Sequence, residues 1–241
     1  MALPAPLNLP AAVQQHLFTD AVETAQALAS AVANALQEGL RDRGRASLIV
    51  SGGRTPGLFL NALSAHQIDW ANVDVSLADD RWLPADHADS NERLVRQNLL
   101  RGPAAAARFV SLVNSAVTPE RHLALAEQAL LQMSQPYDVV VLGVGDDGHT
   151  ASLFPDADGI AAALDLQASP QLAAITPKTA PYPRITLTLR ALLNARALMI
   201  QIEGSNKRSV LELCVNRDPS MFAISTLLQQ KVLPVHLFFN P

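Results

Sequence analysis

The apolar positions of this chain change their period several times along its length. Between residues 20 and 40, Val22, Ala25, Leu28, Ala29, Val32, Leu36 and Leu40 recur every three or four places, the spacing of one helical face. Asp20 stands before that run and Glu23 three places later, which predicts a capping box. Residues 47–50 read instead as a short buried strand, and residues 56–65 as a helix. The alternation continues with a strand over 73–78 and a helix opened by Asp89 and Glu92 that runs to about Leu100. A helix over 119–134, strands over 138–142 and 197–202, a helix over 207–215 and a last strand over 232–239 follow. Pro234 has no N–H to give to a neighbour, which places that last strand at a sheet edge. Residues 156–190 carry no clean period, and Arg184 to Leu189 fits strand or helix.

Strands alternating with helices predict an α/β fold of three layers, a mostly parallel sheet with helices on both faces, as one domain over residues 1–241. Each glycine-rich or charged turn singled out below follows the carboxyl end of a strand. In an open α/β sheet such turns gather on one edge, where ligands bind.

Composition narrows the chemistry. The 241 residues are 49% hydrophobic and carry a formal charge of -4, which argues against a sequence-independent nucleic-acid partner. No stretch approaches the ~20 apolar residues of a membrane span. The one cysteine, Cys214, sits among Leu211, Leu213 and Val215 and reads as a packed core thiol. Residues 1–10 hold three prolines and no positive charge, unlike a secretory signal, so a cytoplasmic setting is expected.

The most informative turn leaves the apolar strand 138–142 as Gly143-Val144-Gly145-Asp146-Asp147-Gly148-His149-Thr150. It matches the dinucleotide fingerprint in letters, but its variable positions are aspartates that would face a pyrophosphate, and Phe154-Pro155 interrupts the helix that should follow. His149 is a candidate proton-transfer group, since an unperturbed imidazole titrates near neutrality. A flanking aspartate would orient the ring and raise its basicity. No second His or Cys stands nearby at metal-ligand spacing. Ser51-Gly52-Gly53-Arg54-Thr55-Pro56 joins strand to helix, with Thr55 as the expected N-cap and Pro56 at the first helical position. Its glycines let backbone N–H groups approach a ligand, and a helix N-terminus suits phosphate. Asp79-Asp80-Arg81, Arg184 after Pro181-Tyr182-Pro183, and Lys207 at a strand-to-helix turn supply charge at the same edge.

These turns, in this order, resemble the 6-phosphogluconolactonase family. Residues 51–56 resemble its SGG-x-TP loop; residues 79–84 with Ser90-Asn91 resemble its DER-x-VP…SN segment; residues 143–155 are similar to its most specific signature. Pro183 to Thr188 and the Gly204–Lys207 turn complete a likeness that spans about residues 16–240. Asp80 departs from the family's usual glutamate, and Arg54 fills a variable position.

The resemblance implies a modified Rossmann-like sheet, shared with glucosamine-6-phosphate deaminases and ribose-5-phosphate isomerases. It implies hydrolysis of 6-phospho-D-glucono-1,5-lactone to 6-phosphogluconate, the second step of the oxidative pentose phosphate pathway, without metal or organic cofactor. It casts His149 as general base and Asp147 as its partner. Ser51, Gly52, Gly53, Thr55, Asp80, Arg81, Gly145, Arg184 and Lys207 become substrate-binding candidates. A deaminase would carry a further glutamate after the histidine, where this chain has Thr150-Ala151-Ser152-Leu153-Phe154-Pro155. A monomer or a small homo-oligomer is expected.

Overall fold

The computed structural model describes residues 3–53, 55–218 and 221–241. In chain order the main elements are β1 (Val13–Leu17), α1 (Ala21–Arg43), β2 (Ala46–Val50), α2 (Pro56–Ser64), β3 (Val73–Leu77), β4 (Asp79–Arg81), α3 (Asn91–Asn98), β5 (Arg108–Phe109) and α4 (Pro119–Leu130). Then come β6 (Val139–Leu142), α5 (Ile160–Leu164), β7 (Leu172–Ile175), β8 (Arg184–Leu187), α6 (Leu189–Leu193), β9 (Leu198–Glu203), α7 (Gly204–Cys214), α8 (Ala223–Gln229) and β10 (Val235–Asn240).

Seven strands form one sheet in the order β1-β10-β9-β6-β2-β3-β5, and every neighbouring pair is parallel. The chain steps from β2 outward to β3 and β5, then returns through β6, β9 and β10 on the other side. Right-handed crossovers therefore send the helices of the two halves to opposite faces. The reversal falls between β2 and β6, so the loops leaving these neighbours diverge and open a crevice at their carboxyl ends. A second, antiparallel sheet, β4-β8-β7, stands beside that edge.

Local chemistry explains the helix limits. Asp20 caps α1 by accepting the N–H groups of Val22 and Glu23, and Gly44, at φ 70°, ends it by donating to Leu40 O. The capping box is half formed, because Glu23 accepts the Thr19 hydroxyl at 3.1 Å and does not reach back to Asp20. Along α1, Leu28, Ala29, Val32 and Leu36 are fully buried, and the helix packs on α2 and β2. Ser90, one residue later than expected, caps α3 through the Arg93 N–H. Thr55 makes no capping bond: its backbone is already helical, at φ -67° and ψ -39°.

The last strand is not at an edge. β10 lies between β1 and β9, and Pro234 precedes it. The edge belongs to β1, whose Gln14, Gln15 and His16 hid it from an apolar pattern. The Arg184–Leu189 run serves both of its readings: β8 ends at Leu187, then Thr188 caps α6 through the Ala191 N–H. Cys214 is buried, as its neighbours imply. Among the described residues, no helix is long and apolar enough to cross a membrane.

Candidate active site

The crevice between β2 and β6 holds a cavity of about 220 Å³, walled by the loops that follow β2, β6 and β9 and by residues of β4 and β8. One wall is the turn after β6. Its backbone closes on itself, with the Gly145 N–H donated to His149 O at 2.7 Å and the Gly148 N–H to Gly145 O at 3.1 Å. Thr150 Oγ1 donates to Gly143 O at 2.8 Å. The result presents the His149 ring to the cavity with 27% of its side chain exposed.

Asp147 Oδ1 lies 2.5 Å from His149 Nδ1 and also accepts the His149 N–H at 3.1 Å. A carboxylate only accepts, so Nδ1 carries the hydrogen and Nε2 is left as the basic nitrogen. Burial raises the pKa of Asp147, but the hydrogen bond and charge of His149 outweigh it and hold the carboxyl below its ordinary range. Gly145 lines the cavity for a steric reason: a Cβ there would stand 2.2 Å from His149 Nδ1. On another side, the Phe154 ring stacks on the imidazole, with centroids 3.9 Å apart.

Two arginines and Asp79, on β4 and β8, form another wall. β4 and β8 pair so that Arg81 and Arg184 are direct cross-strand partners, and both line the cavity. Like charges placed opposite each other destabilise a sheet. Arg184 is 6% exposed, donates from Nη2 to Pro181 O at 3.2 Å, and has its guanidinium 5.5 Å from the Phe154 centroid. Burial draws its pKa down; Asp79 opposes this and the Arg81 charge adds to it. Arg81 Nη1 is held by Asp89 O and Asn91 Oδ1, each at 2.8 Å. Lys207, in the first turn of α7, pairs with Asp146 at 2.7 Å.

Between these walls, Ser51, Gly52, Gly53 and Thr55 line the floor. Gly52 has no alternative, since a Cβ there would fall 1.9 Å from Asn91 Oδ1. Arg54 lies outside the described residues. Among the described residues, three buried polar atoms on the cavity lining lack a hydrogen-bond partner: Ser51 Oγ, Arg184 Nε and Gln201 Oε1. Among the described residues, no group of three or more His, Cys, Asp or Glu is placed to hold a metal ion.

The expected substrate-binding role of Asp80 does not fit its position. Asp80 is 1% exposed and does not line the cavity. Its carboxylate accepts the N–H groups of Arg81, Asn91 and Glu92, at 2.8, 2.7 and 3.0 Å, and the Ser90 hydroxyl at 3.2 Å. It thereby ties β4 to the start of α3 and sets the positions of Arg81 and Asn91. Burial pushes its carboxyl up to about 6 against the pull of those backbone donors. Gln201 gave no functional signal in the sequence, since it sits inside a buried strand; Phe154 entered only as a helix breaker and as part of the signature over residues 143–155.

A parallel α/β crevice with an imidazole–carboxylate pair on one wall and paired guanidinium groups on the other defines a protein built for a phosphorylated small molecule. The chain belongs to the glucosamine-6-phosphate isomerases/6-phosphogluconolactonase family, whose sequence model matches residues 19–234. It is 45% identical over 205 residues to a 6-phosphogluconolactonase of Pseudomonas aeruginosa, covering 85% of this chain and 86% of that one. To a 6-phosphogluconolactonase of Neisseria meningitidis it is 42% identical over 226 residues, covering 93% and 97%. The crystal structure of a 6-phosphogluconolactonase from Shewanella baltica superposes with a TM-score of 0.91 at 40% identity, over 98% of this chain and 100% of that one.

Proposed function

We infer that this chain hydrolyses 6-phospho-D-glucono-1,5-lactone to 6-phospho-D-gluconate, with His149 as the general base. The likeness to named lactonases over most of the chain supports the reaction. The observation that carries the site assignment is the Arg81–Arg184 cross-strand pair lining the same cavity as His149. Two arginines lining one cavity suit an anion of two charges, and the phosphoryl group of the substrate supplies it. Lys207, Ser51 and the Gly52-Gly53 backbone complete that seat. The lactone carbonyl, at the other end of the sugar, then lies toward the imidazole.

In this reading His149 Nε2 takes a proton from water as the water attacks C1. The tetrahedral intermediate collapses, and the imidazolium returns the proton to the departing ring oxygen. Asp147 holds the tautomer and steadies the charge that forms. The Gly145 and Gly148 N–H groups are engaged within their own turn, so neither is free to donate to the oxyanion that forms at C1. Cys214, buried and reduced, and the net negative charge support a cytoplasmic enzyme without a nucleic-acid partner.

The test separates base from anchor. Replacing His149 by Ala is expected to lower kcat by ~10²–10⁴ while 6-phosphogluconate still binds. Lys207→Ala is expected to raise KM about tenfold or more, with a smaller change in kcat. Both are read by following freshly generated lactone above its spontaneous opening. Full turnover by the His149 variant would remove the imidazole from the mechanism.

A further inference from the structure

We propose that Phe154 is a positioning residue whose ring face holds two functional groups at once, the His149 imidazole and the Arg184 guanidinium. The inference rests on the roles given above to those two side chains. Phe154 is 3% exposed and lies outside the cavity lining, so it does not meet the substrate. Its centroid is 3.9 Å from that of His149, with the planes 28° apart, and 5.5 Å from Arg184 Cζ.

The chain goes to some trouble to place this ring. Only four residues separate it from His149, and they double back: Leu153 N–H donates to Thr150 O at 3.0 Å, and Ala151 sits at φ 49°. A non-glycine residue in the left-handed region is uncommon and persists where its surroundings enforce it. Here Ser152 does so. Its N–H donates to Thr186 Oγ1 at 3.2 Å and its Oγ to Asp79 Oδ2 at 2.5 Å. Thr186 is two places from Arg184 on β8. The turn that carries Phe154 is thus docked on the strand that carries the arginine.

An in-plane bond from Asp147 fixes where Nδ1 points but leaves the tilt of the imidazole open. Gly145 closes one approach to the ring, and the charge distribution of the Phe154 face sets its plane. As His149 takes its proton it becomes a cation beside an aromatic face, which attracts cations, and Arg184 meets the same ring. One side chain therefore fixes the separation between the basic nitrogen and the phosphoryl seat.

The test uses Phe154→Leu, and pentafluorophenylalanine at position 154, which keeps the shape of the ring and reverses its quadrupole. Three readouts are followed in the full chain: kcat, the Kd for 6-phosphogluconate by calorimetry, and the ¹⁵N shifts of the His149 ring. For both variants kcat is expected to fall roughly 10- to 100-fold, Kd to rise about three- to tenfold, and the ring shifts to leave their single-tautomer values. Phe154→Leu loses buried volume as well, so the fluorinated protein decides the matter. Wild-type Kd and ring shifts in the fluorinated protein would overturn the proposal, because the ring would then be acting as filler. Changed Kd and shifts with unchanged kcat would uphold the ring's hold on both groups and remove His149 from the role of base.

Discussion

At the scale of single residues, the site is governed by what cannot be added. Gly145 and Gly52 are both close-approach positions: one leaves room for the His149 imidazole, the other for the Asn91 amide that braces Arg81. Gly145→Ala is therefore expected to act at a distance from its own backbone. The new methyl group meets His149 Nδ1 at 2.2 Å and forces the ring off Asp147. We expect kcat to fall by ~10² or more, as a misplacement of about 1 Å does, with little loss of fold. Adding His149→Ala to this variant should then cost little further. Additive losses would show that the glycine serves something other than the ring.

At the scale of elements, α3 is anchored by a buried carboxylate, and this has a pH signature. The carboxyl of Asp80 is raised to about 6 in the folded chain. Between its ordinary range near 4 and that value, the folded state holds a proton that the unfolded chain has released. Stability therefore falls as pH rises through this window and levels off above it. The span amounts to at most about 3 kcal/mol. Asp80→Asn does not titrate, so its unfolding free energy relative to wild type is expected to improve by that order between pH 4.5 and 7.5. Denaturant melts at the two pH values measure it; a constant difference would mean that the backbone donors keep the carboxylate ionised throughout.

The same scale separates what was legible in the sequence from what was not. α1 was legible because a long amphipathic stripe with a capping aspartate has no competing reading. β2, β6 and β9 were legible as mainly apolar runs, since both faces of a parallel sheet are covered, and β3 as the alternating Val73-Asp74-Val75-Ser76-Leu77. β1 was not, because an outermost strand with polar side chains does not have to alternate; Gln15 even turns its amide to Leu7, donating to O and accepting from N–H. Pro234 misled for a related reason. Its missing donor matters only inside a ladder, and it stands just before one. Asp80 misled because a carboxylate beside an arginine looks the same in sequence whether it faces a ligand or a helix terminus. Nothing in the chain announced that Arg81 and Arg184, more than a hundred residues apart, would be cross-strand partners.

At the scale of the whole molecule, the order of the strands does the gathering. Residues after β2, β6 and β9 meet because these strands are neighbours that all point the same way, and the reversal between β2 and β6 opens the space they line. The antiparallel β4–β8 pair then delivers the arginines from the side. Each turn was readable by itself, and their convergence follows from a parallel sheet; which turns would face each other across the crevice was fixed by strand order, which alternating periods do not encode.

That order has a consequence for biosynthesis. β1 has one sheet partner among the described strands, and that partner is β10. A ribosome releases the first of these more than two hundred residues before the second, so the opening strand waits, unpaired, through nearly the whole of translation. Stalled nascent chains ending before residue 235 should be clipped by protease around residues 13–17, and chains released at full length should resist. Protection appearing on the shorter chains would mean that the amino-terminal segment finds its place without the strand beside which it finally lies.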